Sequence, residues 1–152
     1  GMLGIHIMQA TLEVERDHHV ALITQKWQWV MNEWPEDLTV QLPYSPVSAV
    51  LVRYYPPILA EEWHAPIRAR PYVPEAIDTD RGIVKFPESC RRIRLRQHHA
   101  VEINYVCGYG PAPRDVPTNL RMAVLREVAR RYEISQQRSD PFSSISRIDR
   151  MV

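Results

Sequence analysis

Only two cysteines, Cys90 and Cys107, occur in the 152 residues, and they stand far apart without CxxC spacing. That excludes a disulfide framework as the source of stability and predicts two free thiols in a reducing compartment. Glycine is scarce as well, with 5 residues against 13 prolines, so the chain is punctuated by proline rather than by flexible backbone. No charge of one sign dominates. The 19 Lys and Arg against 18 Asp and Glu leave a formal net charge of +1, which gives no global electrostatic pull toward nucleic acid or membrane. No run approaches the roughly 20 apolar residues of a membrane span, and the opening GMLGIHIMQA lacks a basic segment leading into a long apolar stretch. The expectation is a protein that stays in the cytoplasm of the cell that makes it, with Gly1 ahead of Met2 an addition to the natural start.

What is present is ordinary for one folded domain: 45% hydrophobic and 24% charged residues predict a real but modest core. We expect a single domain over residues 1–136 followed by a flexible C-terminal tail, 137–152, whose QRSDPFSSISRIDRMV is rich in Ser and Arg and short of core-forming periodicity. Ile5 to Glu15 has the approximate spacing of a short helix. From Ala21 to Trp34, Ile23, Trp27, Trp29 and Met31 alternate with Thr24, Lys26, Gln28 and Asn32, the period of a half-buried strand, and the shared face of Trp27 and Trp29 predicts that both pack the core. Leu38–Leu42 and Val47–Tyr55 read as two further strands of an antiparallel meander, separated by a proline-marked turn. Pro56–Asp80 shows no clear period and reads as a long loop with one edge strand at most; strand signals return at Gly82–Phe86 and His99–Cys107.

Two groups of arginines stand out. Extended backbone over Arg91–Arg96 would project Arg92, Arg94 and Arg96 from one face. Most such runs are solvated faces; the functional alternative is a contact to an acidic neighbouring subunit or to phosphate. The second group lies on the last helix, which Asp115, Val116 and Pro117 introduce as cap and early-turn proline and which reaches about Ser135. On it Leu120, Val124 and Val128 adjoin Met122, Leu125, Ala129 and Tyr132 in one broad apolar arc, with Arg126 and Arg130 on the remaining side. Arg121 intrudes into the arc and Arg131 stands at its margin. Either an arginine stem covers the core with its head in water, or part of the arc meets another subunit.

The search for chemistry finds no constellation. His18–His19 and His98–His99 are adjacent pairs whose members point apart on an extended chain and cannot chelate one metal. Cys107-Gly108-Tyr109-Gly110 lacks both the dinucleotide and the P-loop patterns, and is better explained as a turn that needs free backbone. Glu61 with Glu62 and Asp78 with Asp80 have no partner that would fix an acid or a base role. These observations predict no catalysis, no metal and no cofactor.

An ordered series of motifs carries a resemblance. Leu22-Ile23-Thr24-Gln25-Lys26-Trp27, Trp34-Pro35, Leu42-Pro43-Tyr44-Ser45-Pro46-Val47, Ile77-Asp78-Thr79-Asp80-Arg81-Gly82, Val106-Cys107-Gly108-Tyr109-Gly110, and Val116-Pro117 opening a helix that ends near Arg131-Tyr132-Glu133 resemble, in order and spacing, the head–tail connector (head completion, portal adaptor) proteins of tailed bacteriophages. The family has an additional helix before the tryptophan strand, so the resemblance implies one of two things: a gene start that lies upstream of this sequence, or an N-terminally shortened phage or prophage copy. It further implies an α+β subunit, with an antiparallel sheet between a short N-terminal helix and a long C-terminal one. Such a subunit forms an oligomeric ring under the portal protein, extends the DNA channel without reading sequence, and offers a surface to later head-completion or tail proteins. The implied locations are the bacterial host cytoplasm during assembly and then the virion neck, with no membrane. The arginines at 92, 94, 96, 121, 126, 130 and 131 are the candidate subunit or portal contacts. A small nucleic-acid-binding module using the same arginines is the rival reading; the acids on the last helix and the net charge of +1 weigh against it.

Overall fold

The computed structural model describes residues 1–58 and 68–139. Helix α1 spans Met2–His18, strands β1 to β7 follow at Gln25–Met31, Thr39–Gln41, Val47–Tyr54, Arg70–Tyr72, Ala76–Asp78, Ile83–Lys85 and Val101–Cys107, and helix α2 closes the order at Thr118–Ser139. The class is α+β with antiparallel sheets between an N-terminal and a C-terminal helix, as expected. Among the described residues the chain forms two compact units: His19–Asp115, which holds the seven strands, and a helical unit made of Gly1–His18 and residues 116–139. α2 continues past the expected end at Ser135, and of the expected tail residues 140–152 lie outside the described residues.

The β unit contains a four-stranded sheet, ordered β1-β7-β3-β4, and a three-stranded one, ordered β2-β6-β5. The expected meander of the first three strands does not form. β1 and β3 flank β7 instead of each other, and β2 joins the other sheet: Val101–Cys107, the most buried of these strands, lies between β1 and β3 with both its edges covered. Register fixes the faces. Trp27, Trp29 and Met31 lie level with Tyr105, Ile103 and Val101, and these with Val50, Val52 and Tyr54. The inward members of β7 and β3 share one core with Val40, Leu42, Val84, Phe86 and Cys90, and Trp34 and Tyr72 pack against it. Aromatic rings fill its side: Trp34 lies 5.0 Å from Tyr72 and 5.5 Å from Phe86.

Trp27 and Trp29 depart from expectation. Both stand on the correct parity, yet they are 44% and 38% exposed, since β1 is the edge strand and its neighbours cover one side only. Trp27 instead stacks on Tyr44 at 4.9 Å. The segment Pro56–Asp80 contains two short strands, β4 and β5, where one at most was expected; three residues each is too short for a period to show. Its Trp63, His64, Glu61 and Glu62 lie outside the described residues.

One end of the β unit is tied by backbone hydrogen bonds between loops distant in sequence. Ala21 N–H donates to Ser45 O (2.9 Å), Leu42 to Gly82 O (2.8 Å), Val47 to Thr79 O (2.8 Å), Gly108 to Pro46 O (2.9 Å), Tyr109 to Leu22 O (3.1 Å) and Thr24 to Gly110 O (3.0 Å). Gly108 has φ +119°, and a Cβ there would stand 2.7 Å from the Ile23 carbonyl and the Thr24 nitrogen. Only glycine lets these two backbones meet.

Gly108→Ala therefore combines backbone strain with a backbone clash and is expected to lower unfolding stability by about 2 kcal/mol or more. Gly4→Ala, in α1 with nothing within 4 Å of the new Cβ, should raise it by up to about 1 kcal/mol. Urea titration of both variants checks the contrast.

Candidate assembly surfaces

The expected arginine stripe is not a strand. Glu88–Arg92 forms a 3-10 turn, started by Pro87 in extended conformation and closed by Ile93 N–H on Cys90 O, and irregular chain follows to Ala100. Proline and the buried Cys90 side chain favour a turn that folds inward, so alternate residues of the run do not share a face. Arg92 and Arg94 are exposed. Arg91 donates to Glu36 O at 2.7 Å. Arg96 is engaged internally, its guanidinium 3.8 Å from the centre of the Tyr55 ring and its Nε donating to His99 O at 3.0 Å.

Arg96 leads into a polar cluster that the sequence did not signal. Glu102, on the outward face of β7, is 5% exposed. A buried carboxylate requires partners, and it has them. His99 Nε2 lies 2.9 Å from Oε2, Gln28 Nε2 donates to the same oxygen at 3.1 Å, Tyr55 OH donates to Oε1 at 3.3 Å, and Arg53 Nε stands 3.9 Å away. These groups come from β1, β3, β7 and the flanking loops, which is why no local motif announces them; the alternation of Glu102 and Asn104 with apolar residues is the only trace in sequence. Beside the cluster a shallow groove of about 440 Å³ crosses β1, β7 and β3, edged by Leu51, Ala49 and Val106 together with the polar Lys26, Gln28 and Asn104. With every carboxylate oxygen satisfied, the cluster is suited to hold three strands in register and present a firm face.

In the helical unit the arginines divide by role. Arg131 bridges the two helices: its guanidinium pairs with Glu13 and reaches Gln9 Oε1 at 3.3 Å, while Nε stands 3.0 Å from Glu127 Oε1. Arg130 makes two hydrogen bonds to Glu127, and these hold that carboxylate below its ordinary value. Arg121 donates to Thr118 Oγ1 at 3.2 Å, and Arg126 is exposed. The broad apolar arc is split by the fold. Leu120 is buried and Val124 and Val128 are partly buried, whereas Met122, Leu125 and Tyr132 are exposed. α1 behaves alike, with Ala10 and Val14 buried and Ile5, Met8 and Leu12 more than half exposed. Asp115 does not cap α2 as expected. Its carboxylate accepts from Ala112 N–H at 2.9 Å, and Pro117 O receives Leu120 and Arg121 N–H at the helix start.

Among the described residues no group of three or more His, Cys, Asp or Glu is arranged to hold a metal, and no helix is long and apolar enough to cross a membrane. Both cysteines are buried and neither is in a disulfide, and burial pushes the Cys90 thiol up, away from the reactive thiolate. Burial likewise pushes the Tyr105 phenol up to about 12. These shifts are the marks of core packing.

Neither a protein-family model nor a curated protein sequence matches the chain. Solved structures do match it in fold. A chain described under "Virion of native gene transfer agent (GTA) particle" has a TM-score of 0.69 at 20% identity, covering 87% of this chain and 66% of that one. A chain from the neck of the native GTA particle computed with C12 symmetry has 0.66 at 21%, covering 88% and 70%. One from the neck of the empty particle computed with C6 symmetry has 0.66 at 21%, covering 86% and 65%. The protein thus spans about two thirds of the length of these chains. The head–tail connector resemblance carried by the motifs is met, at the level of fold, by chains of a phage-like particle.

Two outcomes are expected in the helical unit. Arg131→Ala, which leaves Glu13 and Gln9 without their partner, should cost about 1 to 2 kcal/mol, whereas Arg126→Ala should change stability by less than about 0.5 kcal/mol; chemical denaturation compares them. Because Glu127 is depressed below its ordinary 4.5 in the folded state, its contribution is complete above that value and is lost as pH falls through the lower folded one. Arg130→Gln should remove that part of the acid-side slope, read as the difference between the two melting-temperature profiles from pH 6 down to pH 3.

Proposed function

We propose that the protein is a non-enzymatic structural subunit of the neck of a tailed phage, a prophage or a phage-like particle, acting as a head–tail connector. The observation that carries the reading is the fold likeness over 86 to 88% of the chain to chains of a GTA particle and its neck, in agreement with the ordered motifs. In this reading copies assemble as a ring beneath the portal protein, the ring extends the DNA channel, and its far side receives head-completion or tail proteins. Assembly takes place in the host cytoplasm and the finished ring belongs to the virion neck.

What the chain contributes is surface and rigidity. The satisfied Glu102 cluster stiffens the open sheet face, and the split apolar arcs leave hydrophobic area facing outward on a unit of its own. Subunits of a ring make head-to-tail contacts in which two different patches meet. Arg92, Arg94, Arg121 and Arg126, which are exposed, are the arginines of the original seven best placed for a subunit or portal contact. Arg96, Arg130 and Arg131 have internal partners, and their part is to shape the surface. A nucleic-acid-binding module has less support, since the arginines it would use are divided between two units and several are neutralised internally.

The test is genetic. Deleting the gene from an inducible phage or prophage that carries it should leave DNA-filled heads and separate tails in electron micrographs, with joining restored by the wild-type gene supplied in trans. Normal tailed particles from the deletion strain would overturn the reading.

A further inference from the structure

Each helix of the helical unit carries two apolar stripes and has one turned inward. On α1 the outward stripe is Ile5, Met8 and Leu12, spaced i, i+3, i+7, and these residues are 51%, 58% and 59% exposed. On α2 it is Met122, Leu125 and Ala129, spaced i, i+3, i+7, with the two large residues 43% and 59% exposed; Tyr132 continues the row at 44% exposed, one edge of its ring turned to His6 of α1, 6.5 Å between centroids. This is the spacing with which a helix meets another helix along a seam. Met2, Leu3 and Ile7 extend the exposed apolar surface at the start of α1.

We infer that the outward stripe of α1 in one copy seats on the outward stripe of α2 in the next copy, so that a second copy of this chain is the partner and the contact is head-to-tail. The inference rests on the ring reading above and specifies which surfaces close the ring. Two features favour a second copy over an unrelated partner. First, one unit offers two open stripes of similar length, and a head-to-tail contact uses both, each copy presenting one and receiving on the other. Second, the area fits. Each stripe offers only two or three large apolar side chains, each about half exposed, a small patch beside the roughly 800 Å² per partner buried in a stable pair. A lone pair is therefore weak, and stable assembly requires that every copy be held on both sides, as a closed ring provides. Polar groups do not oppose the approach. Arg121 stands on the rim of the α2 stripe, about three turns before Tyr132, with its guanidinium turned to Thr118, and Gln9 and Glu13 on α1 are drawn toward Arg131.

Cysteine cross-linking of the full chain tests this. Met8→Cys and Leu125→Cys are prepared as separate proteins, one with a purification tag, mixed at high concentration and oxidised; the native Cys90 and Cys107 are buried and serve as the wild-type control. The expected result is a covalent dimer of one copy of each variant, at least tenfold above the dimer from either variant alone. Asn119→Cys in place of Leu125→Cys, exposed on the same helix but off the stripe, should give no more than the control. Dimers formed chiefly between identical variants, or equal yields from Leu125→Cys and Asn119→Cys, would overturn the inference. So would the absence of any cross-link between folded proteins, folding being checked by circular dichroism. If the deletion strain makes tailless heads while this cross-link fails, the neck reading stands and only the assignment of surfaces falls. Normal particles from the deletion strain would instead remove the ring on which the assignment rests.

Discussion

The β unit depends on one set of backbone contacts, the hydrogen bonds that join four loops at one end of its sheets. Ala21 to Thr24, Leu42 to Val47, Thr79 to Gly82 and Gly108 to Gly110 are distant in sequence, and each donates to or accepts from another at 2.8 to 3.1 Å. Buried or crowded backbone polar groups must be paired, and here they pair across the fold instead of within a local turn. The glycine at 108 and the positive φ at Gly82 let the chains approach closely enough. Once these loops are joined, β1, β7 and β3 are brought into register from the same end, and the core under them closes.

The same contacts explain what the motif series means physically. The Thr-Gln-x-Trp segment, the Leu-Pro-x-x-Pro-Val turn, the Asp-Thr-Asp-Arg-Gly turn and the Gly-Tyr-Gly loop have the appearance of functional signatures, and residues of this kind in an enzyme would surround a reacting group. In this protein they bind each other. They are the joints of a scaffold, so their order along the chain reports a fold, and chains of the gene transfer agent particle share that fold at 20 to 21% identity. In the proposed reading, function falls to the surfaces that the scaffold leaves open: the sheet face stiffened around Glu102, and the outward stripes of the two helices.

Much of this was legible in the sequence where a periodic pattern ran long enough. β1, β3 and β7 are seven or eight residues long; β1 and β7 show their alternation, β3 shows its wealth of Val, Leu and Tyr, and the apolar arc of α2 was readable residue by residue. Strand order was not. Nothing in Gln25–Met31 or Val47–Tyr54 says that both will pair with Val101–Cys107, and the exposure of Trp27 and Trp29 follows from that order alone. The arginine run misled because alternation implies extended chain only if the chain is extended; Pro87 and the inward Cys90 make a turn of it. The Glu102 cluster was hidden for the opposite reason, since its partners at positions 28, 53, 55 and 99 meet only after three strands have paired. Arg131, read as an outward contact candidate, spends its charge on Glu13, a residue more than a hundred positions earlier.

The central claim, that this chain is built into a neck, is tested most directly by a symmetry-resolved electron cryomicroscopy reconstruction of the neck of purified particles from a phage or prophage that encodes it. The account predicts a ring of density between head and tail into which the β unit fits strand for strand, repeated around the particle axis. A well-resolved neck whose rings are all occupied by other chains, with this protein undetected in the particles by mass spectrometry, would contradict it.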